Sequence, residues 1–151
     1  MRKLSFFVLI IMISLAFSGC TAGGTAIDST DTGSLLKDIP TPGAGKAIVY
    51  GQVNLSNGQN LEANLFLSKN IAAERPDMPA ALAFSYQHDP RATQNSQGEF
   101  IFTGVEPGQY ALVFWNAESM KVVPSAESSG QFMLVDVLEG QTIDLGKVDV
   151  P

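Results

Sequence analysis

Gly98-Glu99-Phe100-Ile101-Phe102-Thr103-Gly104-Val105-Glu106-Pro107-Gly108-Gln109-Tyr110-Ala111-Leu112-Val113-Phe114-Trp115 carries two strand patterns joined by a tight connection. In an extended chain successive side chains point to opposite faces, so Phe100 and Phe102 share one face of a strand over 99–103. Over 110–115, Tyr110, Leu112 and Phe114 share one face and Ala111, Val113 and Trp115 the other. A strand apolar on both faces belongs in the middle of a sheet. Glu106-Pro107-Gly108-Gln109 reads as a type II turn, with proline presetting φ at the second position and glycine accepting positive φ at the third. Two strands, a tight connection and no helical stripe predict an all-β domain.

The same alternation recurs on both sides of this stretch. Residues 47–55 place Val49, Val53 and Leu55 on one face and run into Asn57-Gly58, where positive φ is cheap. Residues 62–68 set Ala63, Leu65 and Leu67 against Glu62, Asn64 and Ser68, the pattern of a half-buried antiparallel strand. Further strands are expected at 81–86, 132–138 and 143–150. In the last, Ile143 and Leu145 are out of phase with Val148 and Val150, so a bulge near Gly146 is expected to restore one buried face. Residues 46–151 thus predict a single seven-stranded antiparallel β-sandwich of Ig-like type, the size of one small domain.

The Gly-x-aromatic-x-Phe strand at 98–102, the Pro107-Gly108 turn and the Tyr-x-Leu strand beginning at Tyr110 resemble the carboxypeptidase regulatory-like, transthyretin-related (prealbumin-like) sandwich. Gly51-Gln52-Val53 resembles its early Gly-x-Val strand, and Ile143-Asp144-Leu145-Gly146-Lys147-Val148 its closing strand. The resemblance covers most of 46–151 and rests on turn and core residues, with Gly98, Pro107 and Gly108 as turn positions. It implies a fold rather than an activity, since the peptidase of that family's name is a separate zinc domain. Tyr110 is the candidate for a tyrosine corner, its hydroxyl bonded to nearby backbone.

Residues 1–19 read as an export signal: Arg2 and Lys3, then an uncharged apolar run from Leu4 to Phe17. The run is shorter than the roughly 20 residues a membrane-spanning helix needs. Ala16-Phe17-Ser18-Gly19-Cys20 resembles the lipobox of bacterial lipoproteins, with Phe17 where leucine is usual. That resemblance implies diacylglycerol on the thiol of Cys20, cleavage before it and acylation, palmitate for example, of the new amine. Cys20 is the single cysteine, so no intrachain disulfide competes for it. The expected location is the cell envelope, facing outside the cytoplasm, on the outer membrane if the host has one. Residues 20–45, rich in Gly, Thr, Ser, Ala, Asp and Pro, read as the lipidated cysteine and a flexible linker. Leu35, Leu36 and Ile39 leave open a docked strand.

Without Arg2 and Lys3, seven basic residues face fifteen acidic ones, a formal charge of −8. With no basic cluster, nucleic acid and anionic lipid are poor partners. His88 is the only histidine, and no His/Cys/carboxylate spacing suggests zinc or a catalytic dyad, so neither enzyme activity, metal nor cofactor is expected. The sequence reads as a lipid-anchored, non-enzymatic module that serves as an adaptor for an envelope protein, with a carbohydrate-binding surface domain or a structural spacer as the alternatives. Trp115, Tyr86 and Tyr50 are the candidate ligand contacts, because aromatic faces stack on sugar rings, and the alternative is that they fill the core. The long connections 69–80 and 116–130 are expected to form a rim at one end of the sandwich.

Overall fold

The structure, a computed structural model, describes residues 33–54, 63–75, 77–126 and 130–149. The signal, Cys20 and residues 20–32 of the expected linker lie outside these. The described chain is all-β, with strands β1 (Ala47–Asn54), β2 (Asn64–Lys69), β3 (Thr93–Gln94), β4 (Glu99–Val105), β5 (Gly108–Trp115), β6 (Met120–Val122), β7 (Leu134–Val137) and β8 (Thr142–Asp149). One sheet has the order β3-β4-β1-β8; in the other, β5 pairs with β2 along one edge and with both β6 and β7 along the opposite edge. Residues facing inward from both sheets, among them Val49, Val53, Leu65, Leu67, Phe100, Phe102, Tyr110, Leu112 and Phe114, form one buried core. This is a β-sandwich.

Two β-bulges keep the buried faces in phase. Tyr50 pairs with Asp144 and Gln52 with Lys147, so β8 carries an extra residue around Gly146, whose φ is 63°. The expected bulge therefore lets Ile143 and Leu145 pack on the same core as Val148. In β4, Val49 pairs with Phe102 and Ala47 with Val105, an extra residue centred on Gly104 at φ 70°. It brings Val105 into the core behind Phe100 and Phe102.

Four expectations change. The strand count is eight, because two-residue β3 and three-residue β6 are too short to show a period. The sandwich is not purely antiparallel: β8 runs parallel to β1. The chain climbs β7 in one sheet, turns over at residues 138–141 and descends β8 in the other, which is the direction of β1. Residues 81–86 are not a strand. Only 81–83 lie beside the end of β2, through Ile71 N to Ala81 O (2.8 Å) and an isolated bridge between Asn70 and Leu82. The chain then leaves the ladder in a turn where Asp89 N and His88 N both donate to Ser85 O. Finally, Gly108 sits at φ 155°, far from the ~80° of a type II turn. The Glu106-Pro107 connection does not join paired strands but carries the chain from one sheet to the other, and Gly108 already begins β5. There the Tyr110 hydroxyl donates to Glu106 O at 3.0 Å. Lys46 Nζ bonds Glu106 Oε1 at 2.8 Å, and this hydrogen bond and charge hold the Glu106 carboxyl below its ordinary range.

Both outer faces are partly covered. On the β2–β5 sheet, Phe66, Ser68, Ala111 and Val113 are buried although they point away from the core between the sheets. Phe84 packs on Phe66 there, and the segment that carries it is held at its start by buried Asn70: its Nδ2 donates to Gln109 Oε1 (2.6 Å), and its Oδ1 accepts from Ala72 N and Ala81 N. On the other sheet, Ile48 and Ile101 are buried outside the core. Residues 33–45 of the expected linker pass here. They form turns rather than a strand, with Leu35, Leu36, Ile39 and Pro42 half-buried.

Candidate functional site

The three aromatics singled out as ligand contacts separate. Tyr50 lies on the outer face of β1, half-buried, paired with Ile101 and Asp144 in the sheet that residues 33–45 cross. Trp115 and Tyr86 come together on the other sheet. Trp115 ends β5 between cross-strand neighbours Asn64 on β2 and Met120 on β6. Tyr86 reaches it from the turn after residue 84. The two rings stack with centroids 5.4 Å apart and planes 5° from parallel.

The stack is the outer end of a row of four rings. Phe66 meets Trp115 edge to face at 6.1 Å, and Phe84 meets Phe66 the same way at 5.5 Å. Edge-to-face and offset contacts each contribute about 0.5–1.5 kcal/mol beyond burial, so the row is a rigid support. Trp115 is therefore a backing ring, with Tyr86 over one face. The open surface belongs to Tyr86, 57% exposed, and to Met120 at 52%, the cross-strand neighbour of Trp115. Gln87 Nε2 donates to the Tyr86 hydroxyl at 3.2 Å, and Arg91 donates to Asn64 Oδ1, the cross-strand neighbour of Trp115.

Phe66 and Phe84 were not among the sequence candidates. The signal for Phe66 was present: a large ring among Asn64 and Ser68, on the face expected to meet water, announces that something covers that face. Phe84 carried no such signal, since its packing depends on the chain leaving the expected strand. Of the turn positions, Gly98 closes the β3–β4 connection through its N–H to Asn95 O (3.2 Å), at φ 79°. Pro107, Gly108 and Tyr110 lie at the opposite end of the sandwich from Trp115.

The two long connections do not form one rim. The first leaves β2 beside Tyr110 and the second leaves β5 at Trp115, which are opposite ends of the same antiparallel pair. Residues 116–119 form a tight turn on Asn116, whose Oδ1 accepts from Glu118 N, Ser119 N and Ser119 Oγ, and β6 follows directly. Among the described residues no group of three His, Cys, Asp or Glu side chains could hold a metal ion.

A second polar cluster sits at the start of β4. Glu99 is 9% exposed and accepts from Ser34 Oγ (2.9 Å), Leu35 N (2.7 Å) and Asn95 Nδ2 (2.8 Å). Burial pushes its carboxyl up. The bonds from Ser34, Leu35, Asn95 and Leu36 together outweigh burial and hold it below its ordinary value. Asn95 Nδ2 also donates to Gly33 O at 3.2 Å. The carboxylate thus clasps residues 33–36 to the sandwich.

No protein-family model and no curated protein matches the chain. Among solved structures it is similar to a protein of Pseudomonas aeruginosa proposed to bind carbohydrate, at 16% identity and TM-score 0.40, over 75% of this chain and 98% of that one. It is also similar to a DUF3823 family protein from Bacteroides ovatus, at 14% identity and TM-score 0.36, over 68% of this chain and 44% of that one.

Proposed function

We propose that this chain is a lipid-anchored, non-enzymatic module of the bacterial cell envelope, tethered through Cys20, whose sandwich binds carbohydrate by stacking a sugar ring on Tyr86. The observation that carries the reading is the exposed Tyr86 ring lying flat on Trp115 and braced by Phe66. A sugar ring presents C–H groups on one face and hydroxyls around its rim. A rigid aromatic face complements the first and the Gln87 amide on the Tyr86 hydroxyl the second, and rigidity lowers the ordering cost of binding. The anchor rests on the order of charge, apolar run and Cys20. Membership of the carboxypeptidase regulatory-like group is supported by where its motif residues fall, with Phe100 and Phe102 in the core, Gly51 tight against Phe100, and Tyr110 bonded to Glu106 O.

An adaptor joining a protein partner by strand addition has less behind it. β8 is the end strand of its sheet, but the Gly146 bulge, Asp144, Lys147 and Asp149 are features that discourage edge pairing.

The test is titration of the chain from Cys20 onward, with Cys20→Ser, against a panel of cell-wall and environmental polysaccharides. Trp115, the single tryptophan, reports by fluorescence, and co-sedimentation gives an independent readout. Saturable binding lost in Tyr86→Ala is expected. No binding anywhere in the panel would remove the carbohydrate reading and leave a protein adaptor or a spacer.

A further inference from the structure

β4 and β5 meet through Glu106-Pro107, so their far ends, Glu99 and Trp115, lie at the same end of the sandwich. The clasp on Glu99 and the aromatic platform therefore share that end. The chain enters there, where Asn95 holds Gly33 O and Glu99 holds Ser34 Oγ and Leu35 N. It then crosses the outer face to Ala47, which pairs with Val105 at the opposite end.

The crossing decides which end of the domain is leashed. With residues 33–36 clasped, Gly33 is thirteen residues along the chain from Cys20, a reach of at most about 45 Å. With residues 33–44 released, the next residue hydrogen-bonded to the sandwich is Gly45, whose N–H donates to Glu139 Oε1, twenty-five residues from Cys20 and at the other end of the sandwich. An eight-residue strand such as β5 spans about 27 Å, a large part of the clasped reach. The clasp thus halves the leash and reverses the end nearest the lipid.

Tyr86, Met120 and Trp115 stand at the leashed end, where the Arg91 guanidinium donates to Asn64 rather than standing open to an anionic headgroup. We infer that the Tyr86 platform takes the sugar headgroup of a neutral glycolipid in the anchoring membrane, because the Glu99 clasp turns the Trp115 end of the sandwich toward that membrane. The inference rests on the carbohydrate reading of the platform and on lipidation of Cys20, and it narrows the ligand to a sugar borne on the membrane surface.

To test it, the chain from Cys20 onward is captured through its single thiol on phosphatidylcholine vesicles carrying a maleimide lipid, with and without lactosylceramide. Headgroup nitroxide lipids quench Trp115 in proportion to its proximity, normalised to vesicles without nitroxide. The expected results are strong quenching that rises with lactosylceramide, loss of the rise in Tyr86→Ala, and loss of most quenching in Glu99→Gln. Leu35→Pro, which removes the N–H donated to Glu99 from outside the sandwich, should act as Glu99→Gln does, so a folding defect at Glu99 does not leave the question open. Equal quenching in wild type and both clasp variants overturns the orientation. Free lactose binding without a response to lactosylceramide overturns this inference while leaving the carbohydrate reading intact. Binding to no sugar in any form overturns both the inference and that reading, even if the clasp-dependent quenching persists.

Discussion

Gly51→Ala puts a methyl group where β1, the β8 bulge and the core meet. The added Cβ would lie 2.9 Å from Gly146 O, 2.9 Å from Phe100 Cζ and 3.3 Å from Leu145 Cβ. Neither of the two nearest atoms can yield easily: Gly146 O is backbone in the bulge, and Phe100 is fully buried. Overpacking of this kind costs about 1–3 kcal/mol. Alanine returns about 0.5–1 kcal/mol, because glycine loses more chain entropy in a strand. The net expectation is a loss of about 1–2 kcal/mol. For a domain of this size that is a fall in Tm of roughly 4–8 °C. Thermal unfolding followed by circular dichroism measures it, with Gly43→Ala as the control, because nothing lies within 4 Å of a Cβ there. The control should be near neutral. An unchanged or higher Tm for Gly51→Ala would refute the claim that the bulge and Phe100 close on this position.

Tyr110→Phe removes the hydroxyl bond to Glu106 O and should cost about 1 kcal/mol, read as a lower denaturant midpoint. Burial first, then the charges of Glu106 and Asp89, raise the Tyr110 pKa above 10.0. The unfolded chain therefore loses this proton first as pH rises; the stability is full below that value and falls as pH climbs through the folded pKa, a slope Tyr110→Phe should lack. Ser68→Ala deletes a fully buried hydroxyl with no hydrogen-bond partner among the described residues, and should raise stability by up to about 1 kcal/mol; a fall would show that the hydroxyl has a partner. The Glu99 carboxyl titrates below 4.5 when folded, so its contribution is present above that value and lost as pH falls through the folded pKa. Amide exchange at Leu35 and Leu36, compared with that of β4, should show the clasp opening in acid before the sandwich does.

Alternation over 99–103 and 110–115 determined that the described domain is all-β and which residues meet in its core, because the side-chain period of a strand is a local property. The phase break between Leu145 and Val148 located the Gly146 bulge for the same reason. Charge order and a single cysteine set the expectation of export and lipidation without reference to the fold. What tertiary structure decided is whatever depends on two distant segments sharing a surface. β8 is parallel to β1 because of the route through β7, which no local pattern records. Residues 81–86 looked like a strand, but Phe84 packs on Phe66 and the segment leaves the ladder. Tyr86 and Trp115 were each visible as aromatics, whereas their stacking, and the separation of Tyr50 from them, followed from which sheet each joined. Ser34 and Glu99 carried no mutual signal across sixty-five positions. A buried carboxylate needs hydrogen-bond donors wherever the chain can bring them, and here residues 33–36, expected as free linker, supply them.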